Sequence, residues 1–451
     1  MQPGTETCAA KDDEDCNGTD CALWNKVFGD AGDETPCGVA VDSGGNVIVL
    51  GTFEEGRSFG ANVLPSTGAT DVFLAKLTPA GEVSWAKSLG AGECGGLAVH
   101  ADDRIVVSGS FSTPIDLGGT LTPKGTMDAY LATFDTMGGV TNVKQFGTSG
   151  NTSAGALAVS AAGDVFLGGT FDGQVNFGLG AVTAVNAPDA YLMKILANGD
   201  TSWVDVFKSP AYGIELLRLD TAGNVTLAGV YSGVINFGGD DFTAFSPSPD
   251  LFVARFDGGT GAHVWSKSFD TSGTGLTVRQ RALTVDAVGN VYLGGEINAP
   301  IDWGSGFTPI EGSLDVFLAK LDSSGAVQWD RKYATAQSET FKGMVTDAAG
   351  DTRLLVMCPG GIDFGNGPIS ATGTQVFLAN IGSGGTSKWS RRLSEQTSST
   401  GIMSCWAALT PNGGLVDTCR IQGGLDLGLG NLTSFNDGMG NYDLVLFGLA
   451  P

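Results

Sequence analysis

Trp24-Asn-Lys-Val-Phe28 near one end of the chain and Asp443-Leu-Val-Leu-Phe447 near the other are two parts of one interrupted phrase. The complete phrase stands between them. Asp71-Val-Phe-Leu-Ala-Lys76 is followed by a Pro-Ala-Gly turn and then by Val83-Ser-Trp85-Ala-Lys87. The Trp-x-Lys portion returns as Trp203-x-Asp205, Trp265-x-Lys267, Trp329-x-Arg331 and Trp389-x-Arg391, with Asn142-x-Lys144-x-Phe146 as a degenerate copy. The spacing is roughly 60 residues, and a fixed period of that order marks a solenoid or a propeller.

Residues 38–90 show what one period holds. Val39-Ala-Val-Asp42 is a short apolar run, and Ser-Gly-Gly-Asn46 is a tight turn. Val47-Ile-Val-Leu-Gly-Thr-Phe53 is rich in β-branched residues. A Gly-rich link containing Phe59-Gly60 leads to the run opened by Asp71, and that run leads to Trp85. This reads as four strands, a to d, joined by hairpin punctuation. Strand c opens with Asp71, Asp128, Asp189, Asp250, Asp315 and Asp443, and with Gln375 in the sixth unit. The b–c link repeats as Ile115-Asp-Leu-Gly118, Ile301-Asp-Trp-Gly304 and similar runs.

The last unit stops at strand c, and the first strand d, Trp24 to Phe28, has no a, b or c before it. The N-terminal strand can therefore complete the C-terminal sheet. Such closure removes exposed sheet edges. The expected fold is all-β: a seven-bladed β-propeller of four-stranded antiparallel blades, its ring closed by the N-terminal strand. Residues 23–451 form the propeller, and residues 1–22 an acidic, Cys-rich segment.

Composition narrows the function classes. The net charge of -24 argues against nucleic acid, which needs clustered Lys and Arg. No apolar run is long enough for a membrane-spanning helix. Met1-Gln-Pro-Gly lacks an apolar signal core, so the chain reads as a mature fragment with an added Met. An even count of eight cysteines favours an oxidising compartment. Cys405 and Cys419 fall on strands a and b of the seventh unit, and Cys37 and Cys94 precede strand a in neighbouring units. These four are the disulfide candidates. Cys8, Cys16, Cys21 and Cys358 remain.

The phrases at 315–329 and 283–295 resemble the SBBP-type bacterial β-propeller repeat: Asp-x-Phe-Leu-Ala-Lys-Leu, Gly and Trp, then Val-Asp, Gly-Asn-Val and Leu-Gly. The resemblance runs over roughly residues 23–450 and departs at Gln375 and at Gly413-Gly414-Leu415. It implies a secreted or surface-attached protein of adhesive or scaffolding character, and no shared catalytic residues.

Residues present in every blade are packing or capping devices before they are ligands. Register deviations are more informative. One strand-a row reads Val39, Leu97, Leu157, Leu217, Leu283, Met344 and Ala407. Its neighbour reads Ala40, Ala98, Ala158, Arg218, Thr284, Val345 and Ala408, so Arg218 breaks a small row. Just before strand a stand Glu215, Arg281 and Lys342 in three consecutive units. If strand a is innermost, these charges gather at one mouth of the axial channel and suit a carboxylate or sulfate. Asp13-x-Asp15-x-Asn17-Gly18 with Asp20 has the oxygen spacing of a Ca²⁺ loop, although position twelve is Trp24 rather than Glu.

Enzyme signatures are poor. His100 and His263 lie at unrelated registers. Asp257-x-x-Thr260-Gly with Trp265 reads as a c–d hairpin. The expected function is a non-catalytic binding or scaffold module with an extracellular glycan or protein partner. The alternative is a polysaccharide lyase or glycosidase. That would need two carboxylates about 5–10 Å apart, with Glu93, Glu339 and Glu395 as the candidate acids.

Overall fold

The computed structural model describes residues 22–451 apart from 30–31, 61, 187, 209–213, 215, 245–248, 272–277, 305, 397–401, 428, 430 and 435–441. For 278–281, 307–308, 394–396, 404 and 431 the backbone alone is described. The described residues form seven antiparallel blade sheets, five two-stranded hairpins in the b–c links and no helix. Blades 1 to 6 span 34–91, 93–146, 156–207, 216–269, 278–333 and 340–396. Blade 7 takes Ile402–Leu409, Leu415–Ile421 and Asp443–Leu449, and receives Ala22–Phe28 as its outer strand. The chain is a seven-bladed β-propeller. Strand a is innermost: Glu34–Val41 meets both Glu93–Val99 and Ile402–Leu409, and each inner strand touches the next around the ring.

The closing strand pairs Trp24 with Gly448, Lys26 with Leu446 and Phe28 with Leu444. Its last residue then follows the rule of the other seams, where the end of strand d packs on an apolar plug in the next blade's b–c link. Phe28 stacks on Phe59 at 5.1 Å, as Phe207 meets Phe237 at 5.2 Å and Phe269 meets Trp303 at 4.7 Å.

The Trp of strand d is the second inter-blade device. Its indole N–H donates to the c–d turn of the following blade: Trp85 to Thr136 O at 3.3 Å, Trp203 to Gly258 O at 3.4 Å, Trp265 to Ser323 O and Trp329 to Ser383 O, both at 3.0 Å. The ring lies flat on that turn. A Cβ at Gly325, where φ is +83°, would stand 2.8 Å from the Trp265 ring, so the turn excludes any other residue. The Trp indole is therefore committed to architecture in these blades.

The repeated Asp is likewise a capping group. Asp71 accepts Thr67 N at 2.9 Å and Gly68 N at 3.1 Å; Asp128 accepts Lys124 N at 2.9 Å and Gly125 N at 3.0 Å. This fold-back ends the link and starts strand c. Gln375 cannot do it. Its amide donates to Thr372 O at 3.0 Å, and the strand runs unbroken as Pro368–Ile381. Blade 6 consequently fuses its link hairpin into the sheet. It also accepts Gly424–Asp426 on its outer edge through Glu395 and Gln396.

Asp205 stands where other blades carry Lys or Arg. Lys87 reaches Gly138 O at 2.5 Å and Arg331 reaches Gly385 O at 2.7 Å, whereas burial pushes the Asp205 carboxyl up to about 6.

Two disulfides are present among the described residues. Cys405–Cys419 bridges directly opposed residues of adjacent strands, and Cys37–Cys94 joins the inner strands of blades 1 and 2. Cys358 is a buried thiol, pushed up to about 12 by burial and by Glu339. Cys8, Cys16 and Cys21 lie outside the described residues.

Candidate functional site

The inner ring ends, at the a–b turns, in a collar of aliphatic side chains that includes Val41, Val99, Val159, Leu219, Val285 and Leu409. All are half-buried, because one side faces the axis. A cavity of about 480 Å³ opens there, walled by Val41, Val99, Val159 and Leu409 and rimmed by polar groups of the turns. Most of the rim is already engaged. Asp103 accepts Ser43 N and Ser43 Oγ, both at 2.8 Å, and His100 holds Asp102 at 2.6 Å.

The two strand-a rows face opposite neighbours. Leu157 packs into the core between blades 2 and 3, and Ala158 packs against the core between blades 3 and 4. Arg218 belongs to the second row. It lies across from Thr226, Arg255 and Trp265 in successive strands, and that row faces blade 5. It immediately precedes Leu219 of the collar. The guanidinium is half-buried, and its Nη1 donates to Leu217 O at 2.8 Å. Among the described residues no carboxylate pairs with it. Desolvation holds its pKa below the usual guanidinium value.

Lys342 is placed differently. It is buried, and its ammonium donates to Met403 O of blade 7 at 2.9 Å. It occupies a bulge between Phe341 and Gly343, at the opposite end of strand a from the collar. Three residues of strand, roughly 10 Å, separate its level from that of Arg218. Arg281 also sits in a bulge, between Gln280 and Ala282. Its side chain, like all of Glu215, lies outside the described residues. The structure thus places Arg218 near the collar and makes Lys342 a tie between blades.

Other charged groups cluster at seams that the sequence did not flag. Fully buried Glu34 contacts the guanidinium of buried Arg57, and Asp443 stands close to both. Burial first, then Asp443, Asp33 and Glu54, push the Glu34 carboxyl up to about 10 against the pull of Arg420. Asp33 and Arg420 are paired alongside, and the Arg420 guanidinium covers the Tyr442 ring at 3.9 Å. The seam between blades 6 and 7 buries Asp417 near Arg353, and burial raises Asp417 well above the carboxylate range. The signal for both was available: Arg57 and Asp417 are charges at repeat positions that are apolar in the other blades, such as Ile115 and Ile301 for Arg57 and Val107 and Leu293 for Asp417.

Glu93 and Glu339, the candidate acids whose side chains are described, lie in blade 2 and immediately before the first strand of blade 6, and do not converge. Glu339 is buried and caps Thr335 N at 2.9 Å, Glu93 is exposed, and the Glu395 side chain lies outside the described residues. Asp257 accepts Gly259 N at 3.0 Å and Thr260 N at 2.8 Å, as a hairpin cap does. Asp13, Asp15, Asn17 and Asp20 lie outside the described residues, within which no cluster of three or more metal-ligating side chains occurs.

No family model matches the chain, and no curated protein is similar to it in sequence. Solved structures are similar in architecture. A protein of unknown function from Dyadobacter fermentans DSM 18053 is 9% identical, with a TM-score of 0.46 over 96% of this chain and 99% of that one. The Dos1 propeller is 9% identical, with a TM-score of 0.44 over 96% of each chain. A PL25 ulvan lyase bound to -[GlcA(1-4)Rha3S]- is 11% identical, with a TM-score of 0.47 over 91% of this chain and 95% of that one.

Proposed function

We propose that this chain is a secreted or cell-surface propeller of the SBBP-repeat type that binds without catalysis. Its ligand would be an anionic extracellular glycan, held at the collar end of the channel; a protein surface is the other partner class. The observation that carries this reading is Arg218. A desolvated guanidinium without a carboxylate partner among the described residues is a costly group to keep. An acidic ligand would lower that cost through a forked, charge-assisted contact. The net charge of -24 opposes approach at long range. That opposition is screened beyond about 8 Å at physiological salt, whereas a contact at Arg218 is not. Two disulfides support an oxidising, extracellular setting. No helix among the described residues is long and apolar enough to cross a membrane.

Arg218→Ala should leave the melting temperature nearly unchanged, because Ala40, Ala98, Ala158 and Ala408 already occupy that row. Binding to uronate- or sulfate-bearing glycans on an array should fall about tenfold or more. Unaltered binding would remove Arg218 from the site. Shortened or unsaturated sugar products in the same incubation would replace the binding reading with a lyase or glycosidase.

For the segment before Ala22 we propose a Ca²⁺ loop made by Asp13, Asp15, Asn17 and Asp20. Calcium is then expected to give a saturable calorimetric heat and to protect this segment from proteolysis. Protection unaffected by EDTA, with no heat, would rule the loop out.

A further inference from the structure

Four of the seven blade-to-blade seams carry a strap made of cross-strand partners. Lys76 lies opposite Trp85, Lys194 opposite Trp203, Arg255 opposite Trp265 and Lys320 opposite Trp329. The cation of strand c pairs with an acid of the a–b turn, as in Lys76–Asp42 at 2.8 Å and Lys194–Asp164 at 2.9 Å. In two of these straps the cation and the indole converge on one carbonyl of the next blade. Lys320 Nζ and Trp329 Nε1 both donate to Ser383 O at 3.0 Å, and Lys76 and Trp85 share Thr136 O.

Blade 2 lacks the whole strap. Thr133 replaces the cation, Asn142 opposite it replaces the Trp, and His100 takes the position of Asp42. The three changes fall on the face turned to blade 3, and a slot of about 340 Å³ opens there. Exposure of the apolar walls registers the gap. Leu131 is 6% exposed where Leu74, Leu192 and Leu318 are 0%. Val106 is 4% exposed where Ile48 and Tyr292 are 0%. Across the seam, Val165 is 8% exposed where Val225 and Val291 are 0%.

The floor of the slot is the turn Leu196-Ala-Asn-Gly199. Ala197 O is the counterpart of Thr136 O and Ser383 O, and among the described residues no side chain donates to it. Lys144 lies over this turn, its Cε 3.2 Å from where a Cβ on Gly199 would stand. Its ammonium has no acceptor among the described residues, whereas the equivalent Lys87 reaches Gly138 O. Asp135 also lines the slot, but its carboxylate is held by Met137 N at 2.9 Å and Gly139 N at 2.7 Å. Arg104 is committed to Asp102, with Nε at 2.8 and 2.9 Å from the two oxygens.

We propose that the seam between blades 2 and 3 is a binding site for a small planar aromatic acid with an N–H donor. The ring would replace the missing indole between Leu131, Val106 and Val165. Its N–H would donate to Ala197 O, as four tryptophans donate at the other seams. Its carboxylate would meet Lys144. The flat, apolar walls set the ring, and the single unengaged cation sets the charge. This site is independent of the channel and of Arg218.

The test uses indole-3-acetate, neutral indole and acetate, followed by calorimetry and by chemical-shift changes in the full chain. Indole-3-acetate should bind saturably, indole about tenfold more weakly, and acetate not at all at equal concentration. Lys144→Met should lose most of the difference between indole-3-acetate and indole. Asn142→Trp should raise the melting temperature by restoring the indole of the strap and should abolish binding of both ring probes. Val165→Phe fills the slot from blade 3 and should also abolish binding, which covers the case in which Asn142→Trp folds poorly. Absence of saturable binding by the wild-type chain at millimolar probe, or binding that survives both filling variants, overturns the proposal.

Discussion

Deletion of residues 1–29 is expected to convert a monodisperse propeller into an aggregating one, with a melting transition many degrees lower. Blade 7 would lose the strand Ala22–Phe28 and with it the whole ladder from Ala22–Leu449 to Phe28–Leu444. The strand Asp443–Leu449, buried at every position, would become an edge. Such an edge presents unpaired N–H and C=O groups, with apolar side chains on both faces. The Phe28–Phe59 contact and the packing of Trp24 on Gly81 would go as well, opening the seam to blade 1. Size-exclusion chromatography and thermal unfolding provide the check. A monomeric truncation with an unchanged melting temperature would show that the N-terminal strand does not close the ring. Supplying residues 22–29 as a peptide should restore part of the loss if the edge itself is at fault.

Arg57→Ala should destabilise the fold by about 3–5 kcal/mol, the range found when one partner of a buried charged pair is removed, the charged partner here being Asp443. The variant leaves buried Glu34 and Asp443 together at the closing seam without their guanidinium. The effect should depend on pH in a definite sense. The Glu34 carboxyl is raised from 4.5 to about 10, so the folded state holds a proton that the unfolded chain releases. Its stabilising contribution is complete below about pH 4.5 and is lost as the pH climbs toward 10. Stability should therefore erode on the alkaline side, and Arg57→Ala should be least harmful near pH 5. Glu34→Gln should flatten the alkaline decline and recover part of the Arg57→Ala loss. Denaturant unfolding from pH 5 to 9 measures the two single variants and their combination. A pH-independent loss in Arg57→Ala, unchanged by Glu34→Gln, would show that Arg57 acts through packing alone.

The parts of this molecule that repeat were legible in the sequence, because repetition reports architecture. Trp24 and Phe28 announced a strand d without its blade, and Asp443 a blade without its strand d. The four disulfide cysteines followed from the same register, whereas the inner position of strand a was a supposition that the contacts between inner strands bear out. Sites are departures from the repeat, and their consequences need geometry. Gln375 was visible as a substitution, but not that losing a capping carboxylate would fuse a link into blade 6. Lys342 reads from the sequence as lying just before strand a, at a channel mouth. A β-bulge at that level turns the side chain toward the next blade, where it meets Met403. Cys37 sits in the same kind of bulge, between Pro36 and Gly38, and likewise reaches the following blade to join Cys94. Asn142 was recognised as a degenerate copy. Its meaning required knowing that Thr133 lies directly opposite it.

The closing pair also sets a clock. Ala22–Phe28 is among the first strands of this chain to be made, and its partner Asp443–Leu449 among the last. At about 5–20 residues per second of synthesis, the first strand waits on the order of tens of seconds for its neighbour. Six blades can assemble in that interval from contacts between successive strands, but the seventh cannot. A ribosome-bound chain halted before Asp443 should hold a growing, unclosed arc with a loose strand at its head. Holdase chaperones would have most to do at that stage, and a stalled or prematurely terminated product would be the species most prone to join another copy of itself.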